Sequence, residues 1–212
     1  MTWSVVIPVK LLHTAKSRLH VGDPADRAAL ALAMALDTVA AARACADVSD
    51  VVVVTDDAEV AGAATDQGAV VVDDKPAAGL NPALEYGATI ARQRHADCNV
   101  AALAADLPAM RPEELSRILA QAAGLPRTAV ADADGDGTVA LTAIAGEELK
   151  PAYGEGSLAR HRREGAVVLG VDAPGLRRDV DTVADLRAAL QLGCGPRTAA
   201  LAAELLAGPR SP

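Results

Sequence analysis

The chain has 212 residues, 51% of them hydrophobic, and a formal net charge of -8, from 20 lysines and arginines against 28 acidic residues. That hydrophobic content excludes a disordered chain, and the length suits one domain spanning 1–212 with its own core. The acidic balance argues against a general nucleic-acid or anionic-membrane surface, so any anionic substrate needs a local basic cluster.

Trp3 to Val9 reads as a first buried strand, followed by a cationic turn from Lys10 through Lys16 to Arg18. Asp23-Pro24 signals a helix start, and an Ala-rich helix runs to about Cys45. Val51 to Val54 is a second apolar strand that ends in Thr55-Asp56-Asp57. A short helix over 58–67 is closed by Gly68, and a strand covers 69–72. A loop from Asp73 to Pro82 precedes a helix from Pro82 to about His95. The next strand, Val100-Ala-Ala-Leu-Ala-Ala, runs straight into Asp106-Leu107-Pro108. A helix over 112–123, strands over 128–131 and 138–144, a helical stretch over 158–163 and a strand over 166–171 follow. Helices over 183–192 and 196–206 complete the chain, with a tail expected to fray from about residue 207. Alternation of strand and helix predicts an α/β fold, a mostly parallel sheet with helices on both faces. With no Phe, one Trp and two Tyr, its core must be aliphatic. Cys45, Cys98 and Cys194 form no CxxC pair, which favours reduced thiols over disulfides or zinc. No apolar run reaches membrane-span length, and the N-terminus lacks a basic-then-apolar leader. The expected location is the cytoplasm.

Asp106 is the first functional candidate. A buried strand that ends in an Asp puts the carboxylate at the carboxyl edge of the sheet, where open α/β sheets bind ligands. The local alternative is a turn cap. Asp179-Val180-Asp181-Thr182 is the second: alternate residues of an extended segment share a face, so both carboxylates can point one way. Either Asp181 or Thr182 can cap the helix that follows. Asp179, with Asp106, could then hold Mg²⁺, which takes few carboxylates plus phosphate oxygens. Lys10, Lys16 and Arg18 follow the first strand, where a doubly wound sheet keeps its phosphate loop. The turn lacks the glycines of GxGxxG or Walker sequences, so the lysines would act as point charges. Gly154, Gly156 and Ser157 precede a helical stretch and suit an anion near backbone N–H groups, and Thr138 could add a hydroxyl. Asp132, Asp134 and Asp136 resemble a calcium loop only in part, because the twelfth position is Ala143 instead of Glu; a hairpin turn is the expectation. His161 sits among arginines and reads as a surface or packing residue. Ser157 lacks a GxSxG context, which disfavours nucleophilic hydrolysis.

Ile7-Pro8-Val9-Lys10, Ala15-Lys16-Ser17-Arg18-Leu19, Thr55-Asp56, Gly79-Leu80-Asn81, Asp106-Leu107-Pro108, Tyr153-Gly154 with Ser157 and Arg160-His161, and Asp179-Val180-Asp181-Thr182 occur in that order. The set resembles the 2-phospho-L-lactate or phosphoenolpyruvate guanylyltransferases, which make a precursor of the deazaflavin coenzyme (factor 420). The resemblance covers roughly residues 4 to 195. It implies a single-domain, nucleotidyltransferase-type (Rossmann-like) fold and transfer of GMP from GTP to a small phosphorylated carboxylic acid, with release of pyrophosphate. It implies Mg²⁺ on Asp106 and Asp179, with Asp181 a near alternative, and catalytic roles for Asp106, Asp179 and Lys16. It implies triphosphate binding by Lys10, Lys16 and Arg18, a nucleoside near Thr55, Asp56 and Asn81, and an acceptor pocket of Thr138, Gly154 and Ser157. The composition, rich in Ala and Arg with only four lysines, is similar to actinobacterial proteins, where phosphoenolpyruvate is the family's usual acceptor. A monomer or homodimer is expected, with no nucleic-acid or membrane partner, and the pathway's downstream transferase is a candidate recipient of the product. The rivals are a sister nucleotidyltransferase that moves CMP or GMP to another phosphate, and a non-catalytic nucleotide-binding protein.

Overall fold

The computed structural model describes residues 2–14, 16, 18–75 and 77–207. The frayed tail expected beyond 207, and Ala15 and Ser17 of the cationic turn, lie outside these residues. Seven strands are described: β1 (Trp3–Pro8), β2 (Val48–Val54), β3 (Val70–Val72), β4 (Asn99–Leu103), β5 (Arg127–Ala131), β6 (Thr138–Ala143) and β7 (Val167–Val168). Seven α-helices join them: α1 (Pro24–Ala44), α2 (Ala58–Asp66), α3 (Leu80–Arg94), α4 (Pro112–Ala122), α5 (Ser157–Arg163), α6 (Val183–Leu192) and α7 (Pro196–Leu206).

The strands form one sheet in the order β3-β2-β1-β4-β6-β5-β7. All neighbours are parallel except at β6, which runs against both β4 and β5. The chain builds β2 and β3 to one side of β1 and then places β4 on the other, so β1 and β4 flank a topological switch point. Splayed connections at such a point leave a crevice beyond the strand ends. Because β6 is antiparallel, it begins where β4 ends, and the Ala104 N–H donates to the Val139 carbonyl at 2.9 Å. Thr138 therefore reaches the same sheet edge as Asp106.

Side chains alternate across the sheet, as the two-residue period of a strand requires. Val5, Ile7, Val51, Val53, Ala101 and Leu103 meet α1, α2 and α4 on one face. Val6, Val52, Val54, Val100 and Ala102 meet α3 on the other. Both faces are covered, which explains why these strands read as unbroken apolar runs. Helix α7 packs against α1 and α6 through Leu30, Met34, Leu186 and Ala202.

Local signals set most boundaries. The Asp23 carboxylate accepts from the Ala25 N–H at 2.7 Å and the Asp26 N–H at 3.0 Å, with Pro24 at the first helical position of α1. Helix α3 starts two residues before the expected Pro82, because Gly79 at φ 100° turns the chain into it and Pro82 is tolerated in a first turn. The strand expected over 166–171 shortens to Val167–Val168, an edge segment with one neighbour. The acidic turn after β5 is the expected hairpin: the Asp132 carboxylate accepts the N–H groups of Gly135 at 2.6 Å, Asp136 at 3.1 Å and Gly137 at 2.8 Å. All three cysteines are free.

Candidate active site

Asp106 stands just past β4, and its turn is pinned from an unexpected direction. Thr38, fully buried on α1, donates its hydroxyl to the Met34 carbonyl at 2.9 Å, shared with the Ala105 carbonyl at 3.2 Å. The same oxygen accepts the Leu107 N–H at 3.1 Å. One helix hydroxyl thus fixes both peptides that flank Asp106. Sequence reasoning missed Thr38; its one trace is a hydroxyl inside the otherwise apolar stretch Met34 to Val39, broken elsewhere only by Asp37.

Asp179 and Asp181 arrive from the far end of the chain. The Val180 N–H donates to the Asp106 carbonyl at 3.2 Å, so the two carboxylates on either side of Val180 are brought beside Asp106. Arg177 ties this stretch to the end of β5, donating to the carbonyls of Ala131 at 3.1 Å and Asp132 at 2.7 Å. Thr182, rather than Asp181, caps α6: its hydroxyl oxygen accepts the Asp185 N–H at 3.3 Å, and the Asp185 carboxylate accepts the Thr182 N–H at 2.9 Å. Asp181 is therefore left to line the cleft, whereas Asp179 lies near Asp106 and Asp181 without lining it.

Lys16 closes the cluster. Its ammonium contacts the Asp106 carboxylate and lies 2.8 Å from Asp181 Oδ1. Burial works against its charge, but Asp106 and Asp181 outweigh that, and its pKa is raised. Lys16 holds φ 56°, a left-handed conformation uncommon for a side-chain-bearing residue, so the turn is bent to aim this amine inward. For Asp179, burial and then the charges of Asp106, Asp132 and Asp181 push the carboxyl up to about 7. Lys10, Lys16, Arg18, Asp106 and Asp181 line a cleft of about 470 Å³, with Pro8, Val9 and Leu80 among its apolar walls.

These acids fit a hard divalent cation. Carboxylates are crowded until one resists ionisation, and the amine of Lys16 already bridges two of them. Among the described residues no three acid, His or Cys side chains cage an ion by themselves. A magnesium ion needs no such cage, since it keeps water and takes phosphate oxygens.

The remaining expected site residues separate into two groups. Thr55, Asp56 and Asn81 do not reach the cleft wall. The Thr55 hydroxyl accepts the Asp57 N–H at 3.1 Å, and Asp56 accepts the Asp74 N–H at 2.9 Å. Asn81 clasps the Tyr153 backbone, accepting its N–H at 2.8 Å and donating to its carbonyl at 3.3 Å, which places the loop holding Gly154. Thr138 and Ser157 do meet, with their hydroxyl oxygens 3.2 Å apart and both residues buried. The loop's backbone is less available than its glycines suggest. Gly156 donates its N–H to the Asp136 carboxylate at 3.2 Å, and Leu158 donates to the Asp136 carbonyl at 3.1 Å. His161 is not a surface residue: it is 1% exposed, with its ring edge-on to Tyr153 at 5.0 Å. Burial and then the Arg160 charge hold its pKa down to about 4. Helix α5 turns His161 inward and leaves the flanking Arg162 and Arg163 to solvent.

Sheet order and cleft together define a nucleotidyltransferase fold. A nucleotidyl transferase from Methanothermobacter thermautotroptrophicus superposes with a TM-score of 0.60, 20% identical over 90% of this chain and 97% of that one. A CMP:2-keto-3-deoxy-manno-octonic acid synthetase complexed with CTP gives 0.56, at 16% identity over 90% and 98%. The family described as "Guanylyl transferase CofC like" matches residues 3–199, and this chain belongs to it. A phosphoenolpyruvate guanylyltransferase from Streptomyces coelicolor is 56% identical, covering 97% of this chain and 98% of its own length. One from Thermomonospora curvata is 53% identical, covering 97% and 90%.

Proposed function

We propose that this chain transfers the GMP unit of GTP to phosphoenolpyruvate and releases pyrophosphate, a step toward the deazaflavin coenzyme. The relatives of that name, 56% and 53% identical over nearly their full lengths, support the donor and the acceptor. The observation that carries the chemistry is the Lys16 ammonium shared by Asp106 and Asp181 at the sheet's switch point.

The acceptor's phosphate oxygen is already anionic, so the reaction needs no protein nucleophile and no strong base. The residues instead align that oxygen with the α-phosphate and neutralise charge as pyrophosphate leaves. Lys10 and Arg18, both exposed at the cleft, hold the triphosphate, and Lys16 faces the reacting phosphate. Asp106 and Asp179, with Asp181 beside them, would hold magnesium, which would supply charge neutralisation at the phosphates. Thr138, Gly154 and Ser157 receive the acceptor. The cytoplasm suits three free thiols, and no described helix is long and apolar enough to cross a membrane. Residues 1–212 act as one domain, as a monomer or homodimer. The labile product favours handover to the downstream transferase.

The test is pyrophosphate release with GTP and Mg²⁺, run separately with phosphoenolpyruvate, 2-phospho-L-lactate and no acceptor. Release that depends on phosphoenolpyruvate is expected. Release only with CTP or ATP would make the protein a sister transferase, and silence with every nucleotide would leave a binding protein.

A further inference from the structure

Four groups outside the charged cluster, the Ala152 N–H, His161, Thr138 and Ser157, form a chain of hydrogen bonds. The Ala152 N–H, which can only donate, points at His161 Nε2 at 2.8 Å. That nitrogen must therefore be the bare acceptor. In a neutral ring the one proton then sits on Nδ1, which faces the Thr138 hydroxyl oxygen at 2.9 Å. His161 thus donates to Thr138 and cannot accept from it. Thr138 and Ser157 bring two hydroxyl protons, and the 3.2 Å bond between them uses one. The second has no acceptor on the ring, whichever hydroxyl carries it. The pair sits at the first residue of β6, on the sheet edge that also carries Asp106.

We propose that His161 is a positioning residue that locks the Thr138–Ser157 pair as a hydrogen-bond donor toward an anionic oxygen of the acceptor, its carboxylate or its phosphate. The proposal rests on the guanylyltransferase reading above. Burial gives the ring its rigidity: His161 is 1% exposed, and Tyr153 packs edge-on against it. The commitment of the Gly156 and Leu158 N–H groups to Asp136 makes hydroxyl donors more valuable here, because two backbone donors of the loop are already spent. A ring flipped to the other tautomer would turn Thr138 into a donor to histidine. The pair's remaining lone pairs would then repel an anion.

Two readouts test this on the intact protein. Nitrogen-15 NMR of the four histidines, with His161→Asn to assign the signal by its loss, reads the tautomer directly. The expected result is a protonated Nδ1 and a bare Nε2 at neutral pH, and the opposite tautomer overturns the proposal. Steady-state kinetics of His161→Phe and His161→Asn give the second readout. A hydrogen bond to a charged group lost in His161→Phe should raise the KM for phosphoenolpyruvate roughly tenfold or more, with the KM for GTP little changed. His161→Asn keeps an N–H near the Nδ1 position and should recover most of that loss. Equal rises in both KM values, or no rescue by Asn, would mean a merely structural histidine and would overturn the proposal. An active wild type with an unmoved acceptor KM in His161→Phe overturns the role of His161 alone. A folded wild type inert toward GTP and phosphoenolpyruvate overturns the function reading and this proposal together.

Discussion

Lowering the pH below 6.5 should destabilise the protein through one identifiable group. His161 is buried with Nε2 accepting the Ala152 N–H, so protonation would set two donors against each other at 2.8 Å. Its pKa falls from 6.5 in the unfolded chain to about 4 in the folded one. Between those values the unfolded chain takes up a proton that the folded protein refuses. Stability is therefore fully present above 6.5 and is lost as the pH falls toward 4. A shift of that size corresponds to about 3 kcal/mol in full, of which some 2–3 kcal/mol is spent by pH 4.5. Urea unfolding at pH 7.5 and pH 4.5, followed by the fluorescence of buried Trp3, would measure it. Carboxylates titrate over the same range, so the informative number is the difference between wild type and His161→Gln. Wild type should lose about 2–3 kcal/mol more than the variant between the two pH values. Equal losses would refute the buried neutral imidazole.

Asp106→Asn should lower pyrophosphate release about 10³-fold while the circular dichroism spectrum is kept, because it removes a charge aimed at the reaction and not a packing group. A variant with full magnesium-dependent turnover would sink the assignment. Asp179→Asn should stabilise the protein in EDTA at pH 8: a folded pKa near 7 against 3.8 means that ionisation costs stability as the pH rises through that window. Discounted for partial exposure, the gain is about 2 kcal/mol, or roughly 5 °C in Tm, vanishing by pH 3.5. An unchanged Tm would argue against the crowding of acids. Gly87→Ala on α3 should cost about 1–3 kcal/mol, since its Cβ would meet Val6 Cγ1 at 2.4 Å and Val54 Cγ2 at 2.8 Å. Those valines are stiff and fully or almost fully buried, so a melting temperature within a degree of wild type would contradict the close helix–sheet approach.

The sequence carried the fold wherever the cause was local. Helices α1, α6 and α7 begin where Asp23-Pro24, Thr182 and Pro196 say they should, because caps and first-turn prolines act within four residues. Strands buried on both faces announce themselves as valine runs. The first part of β2 did not: Asp50 interrupts the apolar pattern, and only the fold shows it paired with Arg94 at 3.0 Å and His95 at 2.7 Å. The pairing of β6 against β4 was invisible too, since it joins residues distant in sequence; the hairpin set only its direction against β5. That one pairing carries Thr138 to the active edge. Asp106, Asp179 and Lys16 could be picked out by type and position after strands, but the meeting of Asp179 with Asp106 depends on the Val180–Asp106 bond across more than seventy residues. His161 stayed open between surface and packing because its neighbours in sequence are arginines; a seven-residue helix gives each side chain a different direction and turns this one into packing.

The cleft also resolves the conflict between an acidic chain and an anionic substrate. Asp106 and Asp181 line it and share the Lys16 ammonium, with the crowded Asp179 close to both acids. Lys10 and Arg18 line the same cleft with exposed side chains. A net charge of -8 spread over the surface acts at a distance and is screened within about 8–10 Å at ordinary salt. These two cations act at contact, where screening is weak, so a local basic pair can attract an anion that the chain's net charge repels at a distance. The acids, by contrast, oppose one another, and their crowding is felt at Asp179, whose carboxyl burial and neighbouring charges push up to about 7.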